Sequence, residues 1–201
     1  MALATYSDLL AAVASWLMRD DLTANIPDFV TLCESRTNLQ LRIREMETSD
    51  TLTPSAGGVC TLPTDYIEAR RVVSNVDPIS VLESISLDRA RAQYSTAGYP
   101  AFYAIQGSSL LVYPPSTSTI TLDYYATVPA LSSGNTTNWL LTKAPQVYLY
   151  GTLLEAAPFL EDDNRIVTWA NLYKAAMEDL HKADNRARFG KMIVRPRGIT
   201  P

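Results

Sequence analysis

Residues 119–126 read TITLDYYA, and the alternation within them decides the fold class. Ile120, Leu122 and Tyr124 fall on one side of an extended chain, with Thr119, Thr121 and Asp123 on the other. That is the pattern of a half-buried antiparallel strand. Tyr124 and Tyr125 then point to opposite faces, so at most one of them belongs to a core. Moving upstream, residues 101–105 and 110–113 predict a hairpin around Gln106-Gly107-Ser108, closed by Pro114-Pro115. Pro54, Gly57-Gly58, Pro63 and Pro78 break the chain around short runs at 59–62 and 69–73, which read as further strands. A short helix over 86–94 sits between them, with Ser86 placed to cap it.

On both sides of this segment the period changes to that of a helix. Tyr6, Leu9, Leu10, Val13 and Leu17 predict a helix over 6–19, with Thr5 and Asp8 set as a capping box. A second helix is expected from Pro27 to about Glu47. It carries two apolar stripes, Ile26, Phe29, Val30, Cys33 and Leu41 on one and Leu32, Leu39, Ile43 and Met46 on the other. So wide an apolar arc touches neighbours on two sides: a central helix in a monomer, or a helix with one stripe facing the next subunit. Past residue 139, Thr142 is placed to cap a helix with Pro145 in its first turn. Val147 to Leu154 is apolar all round, the mark of a buried helix. The last helix follows Asp162 and Asp163, keeps Ile166, Trp169, Tyr173, Met177 and Leu180 on one face, and stops before Gly190. The fold class is α+β: a helical bundle with an inserted antiparallel β region and an extended C-terminal tail. The expected boundaries are 1–48 and 140–190 for the helical core, 49–139 for the insertion, and 191–201 for the tail.

The chain has 201 residues, 47% hydrophobic and 19% charged, enough to bury a core without disulfide or metal. Cys33 and Cys60 have no CxxC spacing and read as reduced, small apolar residues. No run is apolar enough to span a bilayer, and the N-terminus lacks the basic region of a signal peptide. Charge is unevenly placed. Residues 182–201 hold six bases against one acid, a net +5 that leaves −9 for the rest of a chain at −4. The basic end therefore seeks a different surface from the acidic body, or is simply solvated.

Catalytic signatures are missing: no GxGxxG, Walker loop, HExxH or GxSxG occurs. His181 has no carboxylate or nucleophile spaced to work with it, and reads as a surface or interface residue. Glu161-Asp162-Asp163 and Asp20-Asp21 invite a metal but sit where helix ends and turns favour acids. Trp16, Trp139 and Trp169 fall in or beside helices, where core is the default. A nucleic-acid groove needs more bases than Arg70, Arg71, Arg89 and Arg91 in the β segment. The expectation is no enzyme, no cofactor and no metal.

The ordered series of stretches resembles the head-to-tail adaptor proteins of tailed bacteriophages. It runs TYSDLLAAVASWLMRDDL, IPDFVTLCESRTNLQLRIREME, LPTDYIEARRV, GYPAFYAIQGSSLLVYPP, TITLDYYATVPALS and TNWLLTKAPQVYLYGTLLEAAPFLEDD, and ends with the Trp169/Tyr173 step. The resemblance implies a structural virion protein at the head-tail interface, assembled in the host cytoplasm. It implies a homo-oligomeric ring, expected to be twelvefold, that docks on the portal protein, extends the DNA channel and offers a platform to a tail or nozzle protein. Double-stranded DNA is then only cargo, and no membrane is involved. By that likeness the portal contact falls to Lys191, Met192, Ile193, Val194, Arg195, Pro196 and Arg197. An extended segment with no core of its own gains order by docking, and Arg195 and Arg197 can fork onto carboxylates. The alternative is a small nucleic-acid-binding module using this basic C-terminal segment, which a pI of about 5.0 disfavours.

Overall fold

The computed structural model describes residues 3–19, 21–160 and 164–189. Among these residues six α-helices and seven strands follow in the order α1 (Tyr6–Leu17), α2 (Ile26–Gln40), β1 (Glu47–Leu52), β2 (Val59–Thr61), β3 (Tyr66–Ser74), β4 (Ser80–Ser84) and α3 (Leu87–Gln93). They continue with β5 (Phe102–Gln106), β6 (Ser109–Tyr113), β7 (Ile120–Ala126), α4 (Trp139–Lys143), α5 (Pro145–Glu155) and α6 (Arg165–Phe189). The fold is α+β. Its contacts divide the chain into a helical unit, up to Glu45 and again from Val128, and a β unit, Met46–Thr127.

In the helical unit α1 opens with the expected capping box. Thr5 Oγ1 accepts from the Asp8 N–H at 3.3 Å, and Asp8 Oδ2 accepts from the Thr5 N–H at 3.0 Å. Buried α5 is the hub, packing against α1, α2, α4 and α6. Its Val147, Tyr148 and Leu153 are buried, as are Leu9 and Val13 of α1, Phe29 and Cys33 of α2, and Trp169 and Tyr173 of α6. Thr142 is not the cap for this region. Asn138 caps α4, its Oδ1 accepting from the Leu141 N–H at 2.8 Å, while Thr142 donates its own hydroxyl back to the Asn138 carbonyl.

The second helix is shorter than expected. It ends at Gln40, with Leu41 extended at φ −91° and ψ 131°. Arg42 Nη1 donates to the carbonyls of Asn38 and Leu41, satisfying groups that a longer helix would have used. Leu41 and Ile43 are then fully buried at a spacing of two, as an extended chain allows. The second apolar stripe therefore dissolves: Ile43 and Met46 are core, and only Leu32 and Leu39 stay on the helix surface, 52% and 79% exposed.

A buried polar chain holds the segment that follows the β unit. Glu34 Oε1 accepts from the Leu131 N–H at 2.8 Å and from the Tyr148 hydroxyl at 3.0 Å. Tyr148 in turn accepts from Asn138 Nδ2 at 2.6 Å, and Asn38 Oδ1 accepts from the Val128 N–H at 2.9 Å. Burial pushes the Glu34 carboxyl above its ordinary range, although both hydrogen bonds pull the other way.

The β unit is one seven-stranded sheet in the order β1-β7-β3-β4-β5-β6-β2. Leu52 of β1 and Cys60 of β2, from opposite edges, share a core with Val72, Leu110, Ile120 and Leu122, so the sheet curls around a single interior. Strand β7 alternates as its sequence requires, and Tyr124 is buried with its hydroxyl donating to Asp65 Oδ1 at 2.9 Å. In the β5–β6 hairpin Gln106 pairs with Ser109, and Gly107 takes φ +59° in the two-residue loop. That is the position which II′ hairpins reserve for glycine. The sheet is mixed where antiparallel pairing was expected, because β4 and β5 run parallel. The α3 crossover between them is the reason: a parallel pair needs a long connection, and here the connection is a helix.

Candidate interaction surfaces

The outer face of the sheet carries an arrangement built by one irregularity. Strands β3 and β7 pair with a shift between Ala69 and Arg71, so two residues of β3 stand against Asp123. In a regular strand Arg70 and Arg71 would point to opposite faces; such an irregularity re-aims one of them. Arg70 pairs with Glu47, and Arg71 Nε donates to Asp123 Oδ2 at 2.9 Å. Ser49 donates to Asp123 Oδ1 at 2.5 Å, and Tyr125 to Glu47 Oε1 at 3.5 Å. The Ser49 hydroxyl and then the Arg71 guanidinium hold the Asp123 carboxyl below its ordinary range, against the effect of burial.

After this pairing the Arg70 and Arg71 side chains remain 48% and 58% exposed, and with Asp123 they line a depression of about 290 Å³. Beside it the strand register sets Thr51, Thr121, Val73 and Val81 in one cross-strand row on the same outer face. Val81 is 58% exposed and Ile79, just before β4, is 72% exposed. Two charged pairs thus border a β-branched strip, which can be covered by a partner without stranding a charge.

The helical unit presents two other surfaces. Along α2, Asp28, Thr31, Leu32, Ser35, Arg36 and Leu39 form the exposed stripe, with Arg36 paired to Glu155 at 2.7 Å. At the end of α1, Arg19 pairs with Asp21 at 2.5 Å and donates to the Phe159 carbonyl at 3.1 Å. Arg165 reaches back to the Trp16 carbonyl at 3.0 Å and stacks over Trp169. Arg19 and Arg165 therefore tie the end of α1 to the Phe159 backbone and to the start of α6, with Met18 and Phe159 exposed. A third feature, a cleft bearing Arg44, Glu45, Lys143 and Asp184, is closed on itself. Glu45 pairs with Lys143, and Asp184 accepts from the Arg44 N–H and from Arg188. Burial opposes ionisation of Asp184, but Arg188 and that N–H outweigh it and hold the carboxyl below its ordinary range.

The residues singled out from sequence meet several fates. Lys191, Met192, Ile193, Val194, Arg195, Pro196 and Arg197 lie outside the described residues, as do Asp20 and Glu161-Asp162-Asp163. His181 is half-buried on α6. Among the described residues no three of His, Cys, Asp and Glu gather as a metal site, and no helix is long and apolar enough to cross a membrane. Cys33 and Cys60 are free and buried, with burial raising both thiols, to about 12 and about 11. Trp169 is buried, whereas Trp16 is 43% exposed and rests edge-on against Tyr150. Of the arginines considered for nucleic acid, Arg70 and Arg71 hold carboxylates, Arg89 reaches Gln93 and Arg91 reaches Gln106. They do not line one groove. What sequence reasoning missed is the sharing of a face by Arg70 and Arg71. The signal was there: two consecutive charges inside the strand YIEARRVVS break its alternation, as a bulge does.

The sequence model of the family described as SU10 adaptor protein matches residues 4–197 of the chain. No curated protein matches it.

Proposed function

The chain belongs to the SU10 adaptor protein family, a family of phage structural connectors, and from that premise we propose that it is a ring-forming subunit of the head-to-tail junction. The ring, twelvefold, docks on the portal, extends the DNA channel and provides the platform for a tail or nozzle protein. The family match over nearly the whole chain carries this reading. The exposed leucines of α2 and the paired outer face of the sheet support it, since both are surfaces that a neighbour could cover.

In this reading the helical core, with the inserted β region, forms the body, and the basic residues from Lys191 to Arg197 anchor it on the portal. A body of net acidic charge repels phosphate, so passing DNA slides without sticking. The test is electron microscopy of the purified chain mixed with the portal of its parent phage. Closed rings seated on portal are expected; portal particles that stay bare at saturating chain would end the proposal.

A further inference from the structure

The exposed stripe of α2 has a counterpart on α6, the other long helix that packs on α5. On α2 the stripe holds Asp28, Leu32, Ser35, Arg36 and Leu39. On α6 it holds Leu172, Lys174, Ala175, Glu178 and Asp179, and all five are exposed. Steps of three and four residues keep each set on one face of its helix. Because both stripes face solvent within one chain, they are free to meet between copies.

Their charges are complementary in one direction only. On α2 an acid, Asp28, stands one turn before Leu32 and a base, Arg36, one turn after it. On α6 a base, Lys174, adjoins Ala175, and two acids, Glu178 and Asp179, follow one turn later. With the helices parallel and Leu32 seated on the small Ala175, Asp28 comes within reach of Lys174 and Arg36 faces Glu178 and Asp179. With one helix reversed, the same seat would set Asp28 against Asp179. The partners have capacity left. Among the described residues Glu178 and Asp179 pair only with Lys182, loosely, at 3.8 and 3.5 Å. Arg36 stays 44% exposed after pairing with Glu155, and its fork has donors for a second carboxylate.

Ring geometry selects the same direction. Neighbours in a twelvefold ring differ by a rotation of about 30°, so helices of adjacent copies keep nearly the mutual direction they have inside one chain. Inside the chain α2 and α6 run the same way. Phe29, near the start of α2, packs its ring on Phe159 ahead of α6, and Arg44, just past α2, bonds to Asp184 toward the end of α6. We infer that α2 of one copy lies parallel along α6 of the next, with Leu32 on Ala175 and Arg36 over the Glu178–Asp179 pair. Two different stripes meet, so the contact repeats head to tail from copy to copy. The inference rests on the ring reading above and names the surfaces that make the ring.

Two full-length variants test it. One carries Leu32→Glu with Ser35→Glu on α2, and the other Ala175→Lys with Glu178→Lys on α6; melting temperatures check that both fold. Rings on added portal are counted by electron microscopy. Each variant alone should lose rings by at least about tenfold, because the contact then buries unpaired charges, against Glu178 and Asp179 in the first case and against Arg36 in the second. An equimolar mixture should recover to within about twofold of wild type, since in an alternating even-membered ring the glutamates face the lysines and every other contact is native. Wild-type yield from either variant alone, or a mixture no better than its components, overturns the contact and leaves the ring reading standing. The second of these results would hand the α2 stripe to the portal or to a tail protein. A wild-type chain that forms no rings on portal overturns the ring reading, and the contact with it. Should the lysine pair fail to fold, Ala175→Lys alone serves as its arm, and its retention of wild-type rings counts against the contact.

Discussion

At the scale of single residues, two positions show how closely the helical unit is fitted. Gly151 lies where α5 approaches both α2 and α6: a Cβ there would overlap Cys33 Sγ and come within 3.1 Å of Tyr173 Cε2. Gly151→Ala should therefore cost about 1–3 kcal/mol as overpacking, read as a lower midpoint in denaturant. In a Cys33→Ala background the same change should cost less, and an equal cost in both backgrounds would locate the strain elsewhere. Glu34 makes a different demand, since it is an acid buried against two donors. Its folded pKa is raised, so its contribution to stability is complete below the unfolded value and is lost as pH rises through the folded one. Glu34→Gln keeps an acceptor for Leu131 and Tyr148 without the charge. The variant should gain on wild type at pH 7–8, and the gain should shrink as pH falls toward about 4.5. A difference in melting temperature that stays flat over this range would uncouple Glu34 ionisation from folding. Glu34→Leu, which strands two buried donors, should lose about 1–3 kcal/mol for each at any pH.

At the scale of elements, the sequence was readable wherever one physical preference stood alone. The Thr5/Asp8 box, the alternation of β7 and the glycine of the β5–β6 loop are local signals, and each gave its element. The end of α2 was not readable, because Leu41, Ile43 and Met46 suit a helical stripe and a buried extended chain equally well. Arg42 tips the balance only once its carbonyl partners are in place. Strand β1, ETSDTL, buries just Leu52 and is held by its ladder to β7, so no hydrophobic pattern announces it. The parallel β4–β5 pair and the shared face of Arg70 and Arg71 depend on strand neighbours far apart in sequence, beyond the reach of local patterning. The basic end at 191–201 leads to a prediction at this scale. Among the described residues α6 buries Trp169, Tyr173, Ala176, Met177 and Asp184, all ahead of it. Deleting 191–201 should leave the melting temperature within about 2 °C, since surface changes away from core features stay within about 0.5 kcal/mol. Co-sedimentation with portal rings should fall at least tenfold. Full binding by the truncated chain would remove Lys191 to Arg197 from the portal contact, and failure to fold would place them in the core.

At the scale of the whole molecule, the proposed ring raises the question of whether it would close alone or only on a template. The surfaces that neighbours would cover are modest. Leu32 and Leu39 stand seven residues apart on α2 with Ser35 and Arg36 between them, and the sheet face mixes β-branched residues with charges already paired. Interfaces of this kind contribute little per contact, because exposed ion pairs are worth about 0–1 kcal/mol and a stable pair has to bury roughly 1,200–2,000 Å². A portal that is itself a ring changes this balance. It holds many copies at once, so each contact between neighbours forms at a high effective concentration. The purified chain should therefore sediment as a monomer or weak oligomer and appear as closed rings once portal is added. Leu32→Ser with Leu39→Ser should fold normally, since both side chains already face solvent, yet should lower ring yield on portal. A stable two-fold dimer seen by light scattering and kept on portal would contradict this, because an isologous pair uses one patch against itself and leaves no free face to continue a ring.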